Sequence, residues 1–159
     1  MPIIRPSRSD EHGILMDIWE RSVRATHVFL SAEDIVFYRP LVAEFLGSPM
    51  MEFWTVCCDV LNRPLGFMGL DKDEGEGEFP WKLEALFIDP DQSRRGGGTL
   101  LVRHARILKG KLRLDVNEQN PGALAFYLRL GFVQTGRSPL DGSGRPFPLI
   151  HMKLSTLPY

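Results

Sequence analysis

Three consecutive glycines, Gly96–Gly98, separate an apolar segment that ends before Pro90 from an amphipathic segment that begins at Thr99. Glycine lets the backbone turn tightly and approach a ligand closely, because it has no Cβ. The first N–H groups of the following helix have no intrahelical partner and lie at the positive end of its dipole. The loop Ser93 to Thr99 therefore predicts a site for an anion such as a pyrophosphate.

The residues around these glycines differ from two familiar phosphate-binding motifs. A P-loop has Gly-Lys-Ser/Thr at the start of its helix, whereas Thr99 and Leu100 follow Gly98 here. A dinucleotide-binding fingerprint would have its third glycine where this chain has Leu101. Taken alone, the glycines are explained better by a tight strand–helix turn than by a ligand site.

Two ordered motifs resemble those of the GCN5-related N-acetyltransferases, the GNAT family. The first is a strand, Pro90, a turn that contains Gly96 and Gly98, and the helix that follows. The second is an asparagine segment followed by Ala-x-x-Phe-Tyr-x-x-x-Gly-Phe, which here comprises Asn117–Asn120, Ala123, Phe126–Tyr127 and Gly131–Phe132. The resemblance implies an enzyme that passes the acetyl group of acetyl-CoA directly to a primary amine of a small molecule or protein, in a ternary complex.

The first motif departs from the family pattern at its start. Ser93 stands where arginine or glutamine is usual, and Arg94 stands where glycine is frequent. Backbone N–H groups make most of the pyrophosphate contacts in such a site, so we expect binding to survive, with added charge from Arg94 or Arg95. The resemblance implies a cofactor site made of the backbone of Leu86, Phe87 and Ile88, the loop residues Ser93, Arg94, Arg95, Gly96, Gly97, Gly98 and Thr99, and Asn117, Asn120 and Tyr127.

Asn120 and Asn117 each have a second explanation that does not depend on the family. Asn120 precedes Pro121, and this pair is typical of the start of a helix. The resemblance adds a hydrogen bond from Asn120 to the pantetheine arm of the cofactor, and the two roles are compatible. Asn117 is assigned to the same site, although it also fits the end of a strand.

The resemblance also implies catalytic roles. Tyr127 would protonate or hydrogen-bond the departing thiolate of the cofactor, and its alternative is a core tyrosine with a satisfied hydroxyl. The N–H of Ile88 would stabilise the oxyanion that forms during transfer. Glu84, on the same predicted strand, is a candidate general base, and its alternative is a solvent-exposed residue of that strand.

Two histidines and one phenylalanine mark the expected acceptor side. His27 and Phe29 follow the first predicted helix, in the region that binds the acceptor in the GNAT family, and His151 lies on the last predicted strand. Each histidine is otherwise a structural hydrogen-bonding residue. The four histidines are scattered and Cys57 is adjacent to Cys58, which is not the spacing of metal ligands, so we expect no metal.

Composition narrows the class of protein. The 159 residues fit one domain, 1–159, and contents of 43% hydrophobic and 25% charged residues are typical of a globular protein. A formal charge of −1 argues against nucleic acid as a partner.

The chain has no signal-peptide pattern and no apolar run of about 18 residues, and its two cysteines are poorly placed to pair, so we expect a cytoplasmic protein without a membrane partner. Homodimers are common among protein assemblies, which is the sole reason to consider one here, and the acceptor amine is not identified.

Hydrophobic spacing predicts a mixed α+β domain. A strand at Pro2–Pro6 precedes two helices, the first capped by Ser9 with an apolar stripe from Ile14 to Val23, the second beginning after Ser31. The remaining predicted elements are a hairpin of strands 53–60 and 65–70, a strand at 83–89, a helix from Leu100, a strand at 112–116, a helix from Asn120 to Gly131, and strands at 132–136 and 149–154. The GNAT resemblance implies a central mixed, mostly antiparallel sheet of about seven strands flanked by about four helices, with splayed fourth and fifth strands.

Two other functions share these features. A non-catalytic acyl-CoA sensor would have the same fold, since a fold does not determine function. A nucleotide-phosphate enzyme would use the same loop, but the lysine of such a site is absent. If Tyr127 takes part in acetyl transfer, the protein is an enzyme and not a sensor. A comparison of ATP binding with CoA binding distinguishes a nucleotide-phosphate enzyme from a protein that binds acetyl-CoA.

Overall fold

The computed structural model describes residues 1–155, and the last four residues of the predicted domain lie outside this part. Its strands are β1 (Ile3–Pro6), β2 (Glu52–Cys57), β3 (Pro64–Lys72), β4 (Trp81–Ile88), β5 (Leu112–Asn117), β6 (Val133–Ser138) and β7 (Leu149–Leu154). Its α-helices are α1 (His12–Thr26), α2 (Ala32–Leu46), α3 (Gly97–Lys109) and α4 (Pro121–Arg129). Within residues 1–155 the seven strands form one sheet in the order β1-β2-β3-β4-β5-β7-β6, and β4 with β5 is its parallel pair. The predicted α+β fold with a mixed, mostly antiparallel sheet is confirmed.

Strands β4 and β5 separate after one paired position. Lys82 of β4 is in register with Arg113 of β5, and no further pair joins these two strands in the described residues. By contrast, β4 pairs with β3 from Trp81 to Ile88. The predicted splay of the fourth and fifth strands is therefore confirmed, and it leaves one edge of β4 without a partner strand beyond Lys82.

A β-bulge interrupts β4 at Glu84. Leu83 is opposite Leu70 and Ala85 is opposite Gly69, so Glu84 is opposite no residue of β3. Such an extra residue changes the alternation of side chains between the two faces of the sheet. Leu83 accordingly packs in the core beneath α3 and α4, whereas Ala85 packs in the core beneath α1 and α2.

Helices cover both faces of the sheet and bury two hydrophobic cores. One core, beneath α3 and α4, includes Leu101, Ala105, Leu114, Phe132 and Met152. The other, beneath α1 and α2, includes Leu15, Ile18, Trp19, Val23, Ile35 and Phe67. The apolar stripe predicted for α1 is confirmed except at Ile14, which lies at the edge of the stripe and is 46% exposed. None of the helices within residues 1–155 has the length and hydropathy that crossing a membrane requires.

Local hydrogen bonds decide where α1 and α2 begin. The prediction that Ser9 caps α1 is wrong, because the chain first makes a turn of 3₁₀ helix in which the Glu11 carboxylate accepts the Arg8 N–H at 2.8 Å. Ser31 caps α2 as predicted. Its Oγ accepts the Asp34 N–H at 3.1 Å, and the Asp34 carboxylate accepts the Ser31 N–H at 2.8 Å.

The boundaries of α4 are confirmed, whereas the end of β2 is not. Asn120 Oδ1 accepts a backbone N–H of the first turn of α4 at 3.2 Å, and Gly131 beyond the last turn has a φ of 99°. Strand β2 ends at Cys57 and not at residue 60. The reason is that the Cys58 N–H already donates across the hairpin turn to the Arg63 carbonyl, at 3.0 Å.

Candidate active site

The glycine loop lies between β4 and α3, and two of its three glycines are constrained. Gly96 has a φ of 85°, a left-handed conformation that glycine adopts without strain. A Cβ on Gly98 would lie 3.2 Å from the Phe126 ring, so this glycine lets α3 approach α4 closely. A Cβ on Gly97 would meet the Ile88 side chain at 3.5 Å, which is an ordinary contact.

The start of α3 supplies unpaired N–H groups. The Leu100 N–H donates to the Gly96 carbonyl at 3.0 Å, which is the first bond of the helical ladder. The N–H groups of residues 97–99 therefore have no acceptor within the helix. They lie at the positive end of the helix dipole, where an anion is stabilised.

A cavity of 760 Å³, the cofactor cavity, opens between β4, α3 and α4. All but two of the residues predicted to bind the cofactor line it, namely Leu86, Phe87, Ile88, Ser93, Arg94, Gly96, Gly97, Gly98, Thr99, Asn120 and Tyr127. The exceptions are Arg95, whose Nη1 lies 3.5 Å from Gln92 Oε1, and Asn117, which lines a second cavity beneath the α1–α2 connection. Arg94 has a φ of 63°, which explains why glycine suits this position of the motif.

Five residues of α4 line the cofactor cavity although the sequence interpretation did not assign them to it, namely Gly122, Ala123, Ala125, Phe126 and Arg129. Gly122, Phe126 and Arg129 follow one another at intervals of four and three positions, which places these three on one face of the helix. This helical spacing is the signal that the sequence contains for a side of α4 that faces a ligand.

The free edge of β4 faces the cofactor cavity. The Asp89 N–H donates to the Leu65 carbonyl at 2.8 Å, so the backbone groups at this position point toward β3. Backbone groups of successive strand residues alternate between the two edges of a strand. The N–H and C=O groups of Leu86 and Ile88 therefore point away from β3, into the gap between β4 and β5.

Tyr127 is 8% exposed and lines the cofactor cavity. Its ring packs against Phe132, with 5.5 Å between the ring centroids. Burial raises the pKa of the Tyr127 hydroxyl, so the hydroxyl keeps its proton at neutral pH. No other residue in the described part of the chain hydrogen-bonds to this hydroxyl, which leaves its proton available to a ligand.

A second cavity of 350 Å³, the acceptor cavity, lies between the α1–α2 connection and the loop 139–148. Its polar and aromatic lining includes Trp19, Phe29, Tyr38, Lys82, Glu84, Asp115, Asn117, Asp141 and Phe147. Three carboxylates against one ammonium make this lining net negative. The Tyr38 hydroxyl donates to Asp141, and Arg145 pairs with Asp34 at 2.5 Å, so two polar contacts hold the loop against α2.

Lys82 connects two of the three carboxylates. Its Nζ lies 2.6 Å from Glu84 and 2.9 Å from Asp115. Burial acts to raise the pKa of Asp115, but hydrogen bonds from His151 and Lys82 outweigh it and hold that pKa below its ordinary value. Burial likewise opposes the charge of Lys82, and its two carboxylate partners nevertheless raise its pKa. Lys82 and Asp115 are therefore both ionised at neutral pH.

His151 lies outside both cavities. Its Nδ1 is 2.5 Å from Asp115 Oδ1, and its Nε2 is 2.6 Å from Ser138 Oγ. Both ring nitrogens are thus engaged in hydrogen bonds across the sheet. The structure does not bring His151 together with the other residues predicted for the acceptor side.

His27 and Phe87 line both cavities, so the two cavities meet at these residues. Phe29 lies beside them, with its ring centroid 5.4 Å from that of His27. Burial lowers the pKa of His27 to about 4, and the imidazole is therefore neutral at physiological pH. The neutral imidazole of His27 thus lies between the cofactor cavity, which contains the Tyr127 hydroxyl, and the acidic acceptor cavity.

Residues 50–134 match the family model described as an acetyltransferase (GNAT) domain, which covers more than half of the chain. The chain belongs to the GNAT acetyltransferase family. It is 42% identical to the peptidyl-lysine N-acetyltransferase YjaB of Salmonella typhimurium, over 94% of this chain and 95% of the relative. It is 43% identical to YjaB of Escherichia coli K12, over 94% of each chain.

Solved GNAT structures agree with this assignment. The solution structure of apo-form YjaB from Escherichia coli has a TM-score of 0.82 and 39% identity, and the match covers 96% of this chain and 97% of that chain. PaiA N-acetyltransferase from Thermoplasma acidophilum, in complex with coenzyme A, has a TM-score of 0.77 and 20% identity over 98% and 99% of the chains, a likeness of fold. The predicted class of enzyme is confirmed: the protein is an N-acetyltransferase whose acetyl donor is acetyl-CoA.

The cofactor cavity of this GNAT domain has groups that suit the pyrophosphate and the pantetheine arm of acetyl-CoA. The N–H groups at the start of α3 match a pyrophosphate, and the unpaired edge of β4 matches the amides of a pantetheine arm. Gly98 keeps open a space that a Cβ would partly fill. Among residues 1–155, no group of three or more His, Cys, Asp or Glu side chains is arranged to hold a metal ion.

Proposed function

We propose that this enzyme acetylates the side-chain amine of lysine in a peptide or protein. Two relatives that are 42% and 43% identical are named peptidyl-lysine N-acetyltransferases. The observation that carries the proposal is an acidic, aromatic acceptor cavity that meets the cofactor cavity at His27 and Phe87. A lysine side chain has a long apolar stem with a cationic end, so it can bring its amine from the protein surface to this junction.

The acceptor cavity suits a cation on a flexible stem. Glu84, Asp115 and Asp141 supply negative charge, which attracts an ammonium group before it loses its proton. The rings of Phe29 and Phe147 lie with centroids 5.7 Å apart and provide apolar and π surface for the stem and its charged end.

On the cofactor side, backbone groups carry most of the proposed binding. The N–H groups of residues 97–99 hold the pyrophosphate, with the charge of Arg94 beside them. Leu86 and Ile88 pair with the amides of the pantetheine arm as a neighbouring strand would. Asn120 uses its Oδ1 to cap α4, which leaves its side-chain NH₂ to donate to the same arm.

Three further predicted residues receive narrower roles. Ser93 lines the cofactor cavity beside the pyrophosphate position and contributes through its backbone. Arg95 lies outside the lining and adds charge at longer range. Asn117 lines the acceptor cavity, so we assign it to the acceptor and not to the cofactor.

In the transfer step, the residues of the chain position the reactants and stabilise charge. Acetyl-CoA supplies an acetyl group activated as a thioester. The Ile88 N–H, which points into the gap between β4 and β5, donates to the acetyl oxygen as negative charge develops there. Tyr127 donates a hydrogen bond to the departing sulfur, since its raised pKa keeps the hydroxyl protonated.

The surroundings of Glu84 favour an electrostatic role over the predicted role as general base. The β-bulge places Glu84 among the residues that line the acceptor cavity. Its carboxylate is already held by Lys82 at 2.6 Å, and a general base must be within hydrogen-bond reach of the amine whose proton it takes. We therefore assign to Glu84 the attraction of the cationic acceptor.

A peptide with one internal lysine and a free N-terminal amine tests the proposed acceptor. The enzyme is incubated with this peptide and acetyl-CoA, and fragment mass spectra locate the acetyl group. The proposal predicts acetylation of the lysine Nζ, and no acetylation of a control peptide that carries norleucine in place of lysine. Acetylation of the N-terminal amine alone, or of neither amine, would contradict it.

A further inference from the structure

Thr26, the last residue of α1, forms two hydrogen bonds with different partners. Its Oγ1 lies 2.8 Å from the Ser22 carbonyl oxygen and 2.8 Å from His27 Nδ1. A hydroxyl has one proton, and a carbonyl oxygen can only accept. The Thr26 proton therefore goes to the Ser22 carbonyl, and the second contact is a hydrogen bond that His27 Nδ1–H donates to Thr26.

This hydrogen bond determines the tautomer of His27. A neutral imidazole has one N–H, so a proton on Nδ1 leaves the lone pair of Nε2 free to accept. No hydrogen bond to another described residue engages Nε2. The ring is also held in place, because the His27 N–H donates to the Val23 carbonyl at 2.8 Å and Phe29 packs beside the imidazole.

We propose that His27 is the general base of the transfer reaction and that Thr26 positions it, an inference that rests on the proposed function. His27 lines both cavities, and their junction is where the amine nitrogen must meet the acetyl carbon. The imidazole is available as a base at neutral pH, because burial lowers its pKa to about 4. A weakly basic imidazole suffices, since attack on a carbonyl makes the attached ammonium much more acidic.

The proton and the electron pairs balance in this step. The amine nitrogen forms a bond to the acetyl carbon and loses a proton, which His27 Nε2 accepts. The C–S bond breaks with its electron pair on sulfur, while Tyr127 stabilises that sulfur by a hydrogen bond. The imidazolium then passes its proton to the thiolate through solvent, which is favourable because a thiol has an ordinary pKa of about 8.5. The products are the N-acetylated amine and the free thiol, and His27 is neutral again.

The other ionisable groups of the two cavities have partners, are cations, or, in the case of Tyr127, carry a hydroxyl that stays protonated. The groups that face these cavities with His27 are the carboxylates Glu84, Asp115 and Asp141, the cations Lys82, Arg94 and Arg129, and the phenols Tyr38 and Tyr127. Lys82 engages Glu84 and Asp115, and Tyr38 engages Asp141. His27 Nε2 is therefore the neutral acceptor with a free lone pair at the junction, and the three carboxylates stabilise the imidazolium that forms.

The first test measures the tautomer in the wild-type enzyme without any substrate. Long-range ¹H–¹⁵N correlation spectra of the ¹⁵N-labelled protein distinguish protonated from unprotonated ring nitrogens. The proposal predicts a proton on His27 Nδ1, none on Nε2, and no titration of this ring between pH 8 and about 5.5. A proton on Nε2 of the neutral ring would overturn the proposal whatever the acceptor proves to be.

The second test compares two histidine variants by kinetics and calorimetry. His27→Gln is expected to lower kcat for the lysine peptide about 100-fold or more, with unchanged affinity for acetyl-CoA. His12→Gln is the matched control, because His12 is an exposed residue outside both cavities. Added imidazole is expected to restore part of the activity of His27→Ala. A His27→Gln enzyme that binds acetyl-CoA and keeps the wild-type kcat would overturn the proposal.

The positioning role of Thr26 has its own test. Thr26→Val removes the acceptor for the His27 Nδ1–H and is expected to lower kcat and to populate the other tautomer in the spectra. Thr26→Ser retains the hydroxyl and is expected to keep the wild-type kcat and the wild-type tautomer. A wild-type enzyme that binds acetyl-CoA but acetylates no lysine peptide would refute the proposed acceptor alone, and the tautomer measurement would still decide the state of His27.

Discussion

The two cavities of this GNAT domain differ in the chemical groups that they offer to a ligand. The cofactor cavity is lined mainly by neighbouring residues of β4, the glycine loop and α4, with Ser22, Thr26 and His27 from the end of α1, and the groups that we propose to bind acetyl-CoA there are mainly backbone groups. The acceptor cavity uses side chains from the α1–α2 connection, β4, β5 and the loop 139–148. We expect a site made of N–H and C=O groups to tolerate unusual side chains such as Ser93 and Arg94. A site made of side chains changes its charge and shape with each substitution, which suits the recognition of a particular amine.

Two tyrosine substitutions, one in each cavity, should test the difference between the cavities with the largest expected effect. Tyr127→Phe in the cofactor cavity is expected to lower kcat about 100-fold, because the departing sulfur loses its hydrogen-bond donor, while calorimetry shows unchanged acetyl-CoA affinity. Tyr38→Phe in the acceptor cavity removes the bond to Asp141 and is expected to raise the KM of the peptide instead. A Tyr127→Phe enzyme with the wild-type kcat would remove the proposed role of the hydroxyl.

The partly buried imidazole at the junction should couple folding to pH. The pKa of His27 falls from 6.5 to about 4 on folding, so between these values the unfolded chain binds a proton that the folded chain does not. This contribution to stability is fully present above about pH 6.5 and is lost as pH falls toward about 4, by about 3 kcal/mol in the free energy of unfolding. Urea unfolding across this range should show the loss in wild type and His12→Gln but not in His27→Gln. Identical pH dependence in all three proteins would refute it.

Removal of one carboxylate should affect the acceptor cavity and spare the cofactor cavity. Glu84→Gln is expected to raise the KM for a cationic peptide about 10-fold at low salt, and by less at about 1 M salt, because screening weakens the attraction. Calorimetry should show unchanged affinity for acetyl-CoA. Glu78→Gln is the control, since Glu78 is 80% exposed and lies outside the lining. An equal effect of the two substitutions would mean that the cavity has no specific attraction for cations.

The glycines of the loop should differ in what they tolerate. Gly96→Ala forces a residue with a Cβ into a left-handed conformation and is expected to lower the free energy of unfolding by about 1 kcal/mol. Gly97→Ala has ordinary contacts to accommodate its Cβ and is expected to leave stability unchanged within about 0.5 kcal/mol. Chemical denaturation of both variants measures the difference, and equal stabilities would contradict the constraint on Gly96.

The cofactor cavity is also predicted better from the sequence than the acceptor cavity. Pro90, the glycines and the helix that follows are close together in the sequence, so their spacing indicates a strand, a turn and a helix start, and the resemblance to the GNAT motif adds the ligand. Nothing local in the sequence signals the bulge that places Glu84 in the acceptor cavity, because the bulge depends on the pairing of β4 with β3.

Long-range contacts limit the prediction of the acceptor side in the same way. His151 and Asp115 are 36 positions apart in the sequence, and only their adjacent strands bring them into the hydrogen bond that keeps His151 out of the cavity. The prediction for Ser9 is wrong for a different reason. Ser9 has the residue type of a helix cap, but the Glu11 carboxylate accepts the Arg8 N–H and pairs with Arg5 at 2.6 Å, so a turn of 3₁₀ helix forms before α1 begins.

The central claim is that the two cavities meet at one reaction centre, and a bisubstrate analogue tests it most directly. In this compound the sulfur of CoA is joined through an acetyl bridge to the Nζ of the lysine in the peptide. Calorimetry should show one-to-one binding about 100-fold tighter than that of CoA or the peptide alone, because one molecule fills both cavities at once. Binding no tighter than that of CoA would mean that the lysine does not reach the junction at His27 and Phe87, and would contradict the account.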